Sequence, residues 1–75
     1  MDDEQLAAAA RRIGRYIATR RKSFDATQAD LAGLSGVSVR AVSALEAGKA
    51  TTRLDIVLRV FAALGVDVAD AIDGR

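Results

Sequence analysis

The stretch TQADLAGLSGVSVRAVSALEAGK, residues 27–49, contains two short helix signals separated by a turn. Thr27 is a good N-cap for the first helix, and Asp30 completes a capping-box-like pair with it. Gly36 can take the positive φ that a sharp turn needs. The side chains of the first helix that should face inward are Leu31, Ala32 and Leu34. Two short helices joined by a glycine-containing turn predict a helix-turn-helix.

The second helix of this motif has an unusually narrow apolar side. Ser38 caps its start and Gly48 closes it, so the helix spans about residues 38–47. Only Val42 and Leu45 are candidates for its inner face. The opposite face contributes nothing to a hydrophobic core, and it consists of Val39, Arg40, Ser43 and Ala44. We therefore expect this outer face to meet a partner.

A longer amphipathic helix precedes the motif, from about Asp3 to Lys22. Its apolar positions recur at helical spacing, and they are Leu6, Ala10, Ile13 and Ile17. Gly14 lies in the middle of this helix, where glycine costs roughly 1 kcal/mol relative to alanine. It either permits another helix to approach closely or is simply tolerated.

A fourth helix follows the motif, capped by Thr52 and closed by Gly65. Its main apolar stripe consists of Leu54, Val57, Leu58, Phe61 and Leu64. A second apolar set, which lies off that stripe, consists of Ile56, Val60 and Ala63. Because this helix is apolar over most of its circumference and the domain is small, we expect a contact beyond the monomer.

The last ten residues, VDVADAIDGR, fit two structures. Val68 and Ile72 are one helical turn apart, which favours a short helix, whereas Val66 and Val68 alternate as in a short strand. The whole pattern predicts an all-α fold, a compact bundle of four to five short helices. We expect residues 1–75 to form a single helix-turn-helix domain, with residues 66–72 as a closing helix or a dimer strand.

The composition excludes several classes of function. The 75 residues include no cysteine and no histidine, so disulfides, thiolate metal sites and the commonest general base are absent. We therefore expect no metal, no cofactor and no enzymatic activity. No stretch approaches the roughly 20 apolar residues of a membrane span, and the start MDDEQLAAAARR reverses the charge order of a signal peptide. These features predict an intracellular protein without membrane contact.

The formal net charge is only +1, but the charges are unevenly placed. Residues 11–65 carry ten basic and four acidic side chains, while the acidic residues outnumber the basic ones at both ends. A positive middle is consistent with a polyanionic partner. The alternative is an ordinary solvated, charge-rich helix face, and charge alone leaves both interpretations open.

The helix-turn-helix stretch resembles that of phage-repressor and Cro-type (XRE-like) regulators. The positions that carry the resemblance are Thr27, Gln28, Leu31, Ala32, Gly36, Val37, Ser38, Val42, Ser43, Leu45, Glu46 and Gly48. The resemblance implies a lambda-repressor-like fold and a cytoplasmic bacterial or phage protein. It also implies a dimeric, sequence-specific repressor that binds double-stranded DNA at an inverted repeat, with the helix 38–47 in the major groove.

The resemblance assigns roles to individual residues. The implied DNA-binding set is Thr27, Gln28, Ser38, Val39, Arg40, Ser43, Ala44 and Lys49. Within it, Gln28 and Lys49 would meet phosphates, and Arg40 would grip a guanine edge. Arg21 would form a structural ion pair with Glu46. From the apolar outer surface of the fourth helix and the residues after it, we expect a homodimer patch of Ile56, Val60, Val66, Val68 and Ile72.

The stretch GKATTRLDIVLRVFAALGV, residues 48–66, is also similar to antitoxins of the HipB type. This similarity lies in the run from Arg53 to Leu58 and in the closing Ala-Leu-Gly. It implies an alternative function, in which the protein binds a kinase toxin and represses its own operon. A toxin protein is therefore a second possible partner.

Overall fold

The computed structural model describes residues 1–73, except the side chain of Ala71. Over this range the chain forms helices and no strand. The all-α bundle is confirmed, and the ambiguous tail forms a helix rather than a strand. The five helices are α1 (Asp3–Ser23), α2 (Gln28–Ser35), α3 (Val39–Glu46), α4 (Leu54–Ala63) and α5 (Val68–Ile72).

The core lies around α3, which packs against α1, α2 and α4. Ile17 of α1 and Val42 of α3 are completely buried, so the two helices share one apolar centre. The buried apolar cluster consists of Ile17, Leu31, Ala32, Val42, Leu45, Val60 and Leu64. One side of α3 is thus fixed by packing, and its other side remains on the surface.

Side-chain caps set where the first three helices begin. Thr27 and Asp30 exchange two hydrogen bonds at the start of α2, with N···O distances of 2.8 and 3.0 Å. The hydroxyl of Ser38 accepts a bond from the backbone N–H of Ala41 at the start of α3. The bonds from the backbone and hydroxyl of Thr27 hold the pKa of Asp30 below its ordinary value. Local hydrogen bonding therefore fixes where α2 and α3 begin.

Gly14 brings α1 into direct backbone contact with α3. A Cβ atom at this buried position would lie 2.5 Å from the carbonyl oxygen of Glu46 and 2.6 Å from that of Leu45. Both distances are far below van der Waals contact. Of the two interpretations of Gly14, the structure supports the close helix approach.

The inward face of α4 differs from the prediction. Leu54 and Leu58 are 70% and 42% exposed, although they belong to the expected inner stripe. Val60 is completely buried and Ile56 packs against the core, although both were expected in the dimer patch. Since α4 is apolar nearly all round, its periodicity does not reveal the buried face. The contacts with α2 and α3 decide it instead.

Three further side chains lie outside the core. Leu6 and Ile13 of α1 and Leu34 of α2 are exposed, although all three were expected to face inward. On α1 the buried face instead contains Gly14 and Ile17. Thr52 does not cap α4: its hydroxyl donates to the carbonyl of Lys49, and the N-cap position is Arg53.

Among the described residues, no helix combines the length and the low charge needed to cross a membrane.

The Gly14 contact predicts opposite effects for two glycine-to-alanine changes. Gly14→Ala should lower the free energy of unfolding by about 1–3 kcal/mol, since overpacking outweighs the better helix propensity of alanine. Gly33→Ala should raise it by about 0.5–1 kcal/mol, because a Cβ on this helical residue meets nothing within 4 Å. Urea denaturation of both variants measures the difference. Equal stabilisation in the two variants would contradict the close packing at Gly14.

Candidate nucleic-acid interface

The outer face of α3 is a continuous surface of small and polar side chains around one arginine. Val39, Arg40 and Ser43 are exposed, and Ala44 is half-buried. These four positions lie on one side of the helix because residues three and four apart are neighbours. The opposite side holds the expected inner pair, Val42 and Leu45, in the core.

This face has the chemistry required to contact base edges. The Arg40 guanidinium can donate two hydrogen bonds to guanine O6 and N7, which is the commonest specific contact in the major groove. Val39 offers apolar contact to a thymine methyl, and Ser43 can donate or accept a hydrogen bond. Because Ser43 and Ala44 are short, the helix backbone can come close to the bases.

A buried ion pair holds α3 against α1. Nε of Arg21 donates to Oε2 of Glu46 at 2.7 Å, and its Nη2 donates to Oε1 at 2.9 Å. The two side chains are only 10% and 7% exposed. The remaining Nη1 donates to the carbonyl of Ala26 at 2.9 Å, which also fixes the loop before α2. The structure thus brings together the two residues expected to pair.

The ion pair shifts the titration of both partners. The hydrogen bond from Arg21 is the main cause that lowers the pKa of Glu46, and a bond from Gln28 adds to it. The bond to Glu46 likewise raises the pKa of Arg21. Both groups therefore remain charged at neutral pH in the folded protein.

Gln28 joins this network from the start of α2. Its Nε2 donates to Oε1 of Glu46 at 3.0 Å, and the side chain is half-buried. The second hydrogen on Nε2 is still available to a phosphate oxygen. Thr27, next to it, is exposed and uses its oxygen to cap α2. Glu46 therefore positions both α3 and the first residues of α2.

Lys49 lies directly after α3, in the loop that leads to α4. Its backbone N–H donates to the carbonyl of Ala44 at 3.0 Å, and Thr52 donates to its carbonyl at 2.7 Å. Within residues 1–73, the pairs of opposite charge within 4.0 Å are Arg21–Glu46 and Arg53–Asp55. The cationic groups of Lys49 and Arg40 are therefore available to a polyanion.

An apolar groove of about 510 Å³ lies between α1 and the α4–α5 segment. It is lined by Ala9, Arg12, Ile13, Tyr16, Phe61, Val66, Asp67 and Val68. Of the residues expected in the dimer patch, Val66 and Val68 lie in this groove, and Ile72 is 79% exposed on α5. Ile56 and Val60 lie elsewhere, in or against the core.

Sequence reasoning missed two contacts of this surface. The Gln28–Glu46 bond joins residues 18 positions apart, and no local pattern indicates it. Arg11 lies beside Gly48, just after α3 ends, and no local pattern indicates this contact either. The helical spacing of Arg11, Arg15 and Lys22 does indicate that the three residues share one face of α1.

These features define a helix-turn-helix protein, and comparison with known proteins agrees. A family model described as "Helix-turn-helix" matches residues 17–70. The chain is 39% identical over 56 residues to "Uncharacterized HTH-type transcriptional regulator y4mF" of Sinorhizobium fredii (strain NBRC 101917 / NGR234), a match that covers 75% of this chain and 74% of that protein. No solved structure matches the chain significantly. The chain belongs to the Cro/C1-type helix-turn-helix family of DNA-binding transcriptional regulators, as its sequence predicts.

The ion pair predicts a defined dependence of stability on pH. Glu46→Gln should lower the free energy of unfolding at pH 7 by about 3–5 kcal/mol, because it leaves the Arg21 charge buried without its partner. Since folding lowers the pKa of Glu46, its contribution is complete above about pH 4.3 and is lost as the pH falls further. The difference between wild type and variant should therefore shrink below about pH 4.3, as measured by urea denaturation across pH.

Asp55→Asn is the matched control for this experiment. It breaks the Arg53–Asp55 pair, whose side chains are 77% and 47% exposed, and should cost less than about 1 kcal/mol. If Glu46→Gln cost as little as Asp55→Asn, the buried pair would not be what holds α1 and α3 together.

Proposed function

We propose that this protein is a homodimeric transcriptional repressor that reads an inverted-repeat operator by placing α3 in the major groove. The observation that carries the proposal is the exposed face of α3, with Arg40 among small side chains. The core and the Arg21–Glu46 pair fix the other side of this helix. A helix held in this way presents one defined face, which sequence-specific reading requires.

The flanking residues support a duplex as the partner. Thr27 and Gln28 lie at the start of α2, and Lys49 follows the end of α3. In the proposed complex Gln28 and Lys49 bind phosphates and so position α3, while Arg40 reads the sequence. Thr27 and Ser38 act first as helix caps, and any contact they make with DNA is secondary.

The proposed dimer follows from the small size of the reading surface. One such module reads only a few base pairs, so two copies bound about one helical turn apart provide the specificity. The apolar groove between α1 and the α4–α5 segment is the proposed contact with the second copy. Arg12 and Asp67 both line it, so in a two-fold contact Arg12 of each copy can pair with Asp67 of the other copy. Val66, Val68 and Ile72 remain part of the proposed patch.

A second candidate function is that of a HipB-type antitoxin. Leu54 and Leu58 are exposed within the run that carries the similarity to these proteins. A protein partner such as a kinase toxin would cover them, and DNA binding would then be autoregulatory. A toxin-like gene next to this one would distinguish the two functions.

Two changes at Arg40 test the role of α3. Arg40→Ala should lose about 1–3 kcal/mol on the cognate site, which is roughly 5- to 150-fold in Kd, and relax its specificity. Arg40→Lys keeps the charge but lacks the fork of donors, so it should lose specificity while keeping its affinity for a scrambled duplex. Fluorescence anisotropy with the duplex upstream of the gene, at physiological salt, measures both. An unchanged preference in Arg40→Ala would show that α3 does not read DNA in this register.

Charge introduced into the groove tests the dimer. Tyr16→Glu should shift the protein to monomers in sedimentation equilibrium and weaken operator binding, because it places a carboxylate in the apolar contact. Leu34→Glu is the control, since Leu34 is exposed on α2 away from this groove. A dimer that survives Tyr16→Glu but dissociates in Leu34→Glu would place the interface on the other side of the molecule.

A further inference from the structure

We propose that Arg11 and Arg15 on α1 bind the phosphate backbone beside the half-site and so extend the DNA footprint beyond the helix-turn-helix. This inference rests on the proposed function, because it assigns a further part of the same DNA surface. The two arginines precede the region that the family model matches, which starts at residue 17. The proposed contact therefore lies in the part of α1 that precedes the matched region.

Arg11 is packed against the end of the recognition helix. A Cβ atom on Gly48 would lie 2.8 Å from Cγ and 3.0 Å from Cα of Arg11. Gly48 has a φ of +91°, directly before Lys49. Because Lys49 follows Gly48 in the chain, Arg11 lies close to the backbone of Lys49, a residue already proposed to bind phosphate.

Arg15 and Lys22 continue the same row along α1. Residues 11, 15 and 22 are spaced by four and seven positions, which places them on one face of the helix. At the far end of the row, the charge of Lys22 contributes to the lowered pKa of Glu46, so Lys22 lies near the network that contains Gln28. The row therefore begins near Lys49 and ends near Gln28, the two residues proposed to bind phosphate.

The charges in this row are available for DNA. Arg11, Arg15 and Lys22 are exposed, and none of them lies within 4.0 Å of a carboxylate in the described part of the chain. Glu4 lies seven positions before Arg11 on the same face. Its negative charge repels phosphate, so it sets the limit of the site toward the start of α1.

The length of α1 makes this contact possible. The helix starts at Asp3, so 14 of its residues, roughly 20 Å of helix, precede the region that the family model matches. Arg11 and Arg15 lie in this part, where they can reach phosphates beside those proposed for Gln28 and Lys49. Arg12 is different, since it faces the apolar groove with Tyr16 and Asp67.

The dependence of DNA binding on salt tests the inference. Each lost phosphate contact lowers the slope of log Kobs against log[salt] by about 0.9. Arg11→Gln should therefore reduce the slope by about 0.9 per protomer, and Arg11→Gln with Arg15→Gln by about 1.8. Leu34→Glu changes the net charge equally at an exposed site on α2 and should leave the slope unchanged. Affinity for cognate and scrambled duplexes should fall by the same factor.

Two controls separate this inference from the proposed function. Thermal unfolding and sedimentation confirm that each variant is folded and has the oligomeric state of the wild type. The slopes are measured on the scrambled duplex as well, so the comparison holds even if the protein shows no preference for its own upstream DNA. Equal affinity for the two duplexes would overturn the proposed operator binding but not the role of Arg11. Equal slopes for Arg11→Gln and Leu34→Glu would overturn the role of Arg11.

Discussion

The bidentate ion pair between Arg21 and Glu46 determines how α3 is oriented in the fold. Removing two charges from water is costly, and a well-packed apolar pair is often as stable. The pair contributes a defined geometry that an apolar contact lacks, because two parallel hydrogen bonds fix the rotation of α3 relative to α1. Gln28 adds a third bond to Glu46, so the start of α2 is tied to the same carboxylate. One side chain thereby positions both α3 and the start of α2.

α1 approaches the C-terminal end of α3 closely. Gly14 meets the carbonyls of Leu45 and Glu46, and Arg11 packs on Gly48. The N-terminal turn is held by the Ser38 cap and by the burial of Val42 in the core. Both ends of α3 are therefore fixed, so its exposed face has a defined position in the fold. The two glycines are part of this arrangement, because a Cβ atom at Gly14 would collide with α3 and one at Gly48 with Arg11.

Sequence analysis was sufficient where local chemistry decides the structure. The caps at Thr27 and Ser38 and the glycine turn placed α2 and α3 to within about a residue, since the same few hydrogen bonds form in any context. It was insufficient for α4, where apolar residues surround the helix and only tertiary contacts reveal that Val60 is buried. The Gln28–Glu46 bond was likewise invisible, because it depends on how two separate helices meet. For α4 and for the Gln28–Glu46 bond, packing between helices rather than helix propensity determines the structure.

The fold separates acidic and basic side chains in space. The overall charge of +1 combines a basic row on α1 with acidic residues at both ends of the chain. Asp3 and Glu4 lie in the first turn of α1, and Asp70 lies in the first turn of α5. In the proposed complex, a duplex is repelled from these ends and attracted to the basic row and to Lys49. This placement favours the proposed contact with α3 without the strong non-specific affinity that a uniformly basic domain would have.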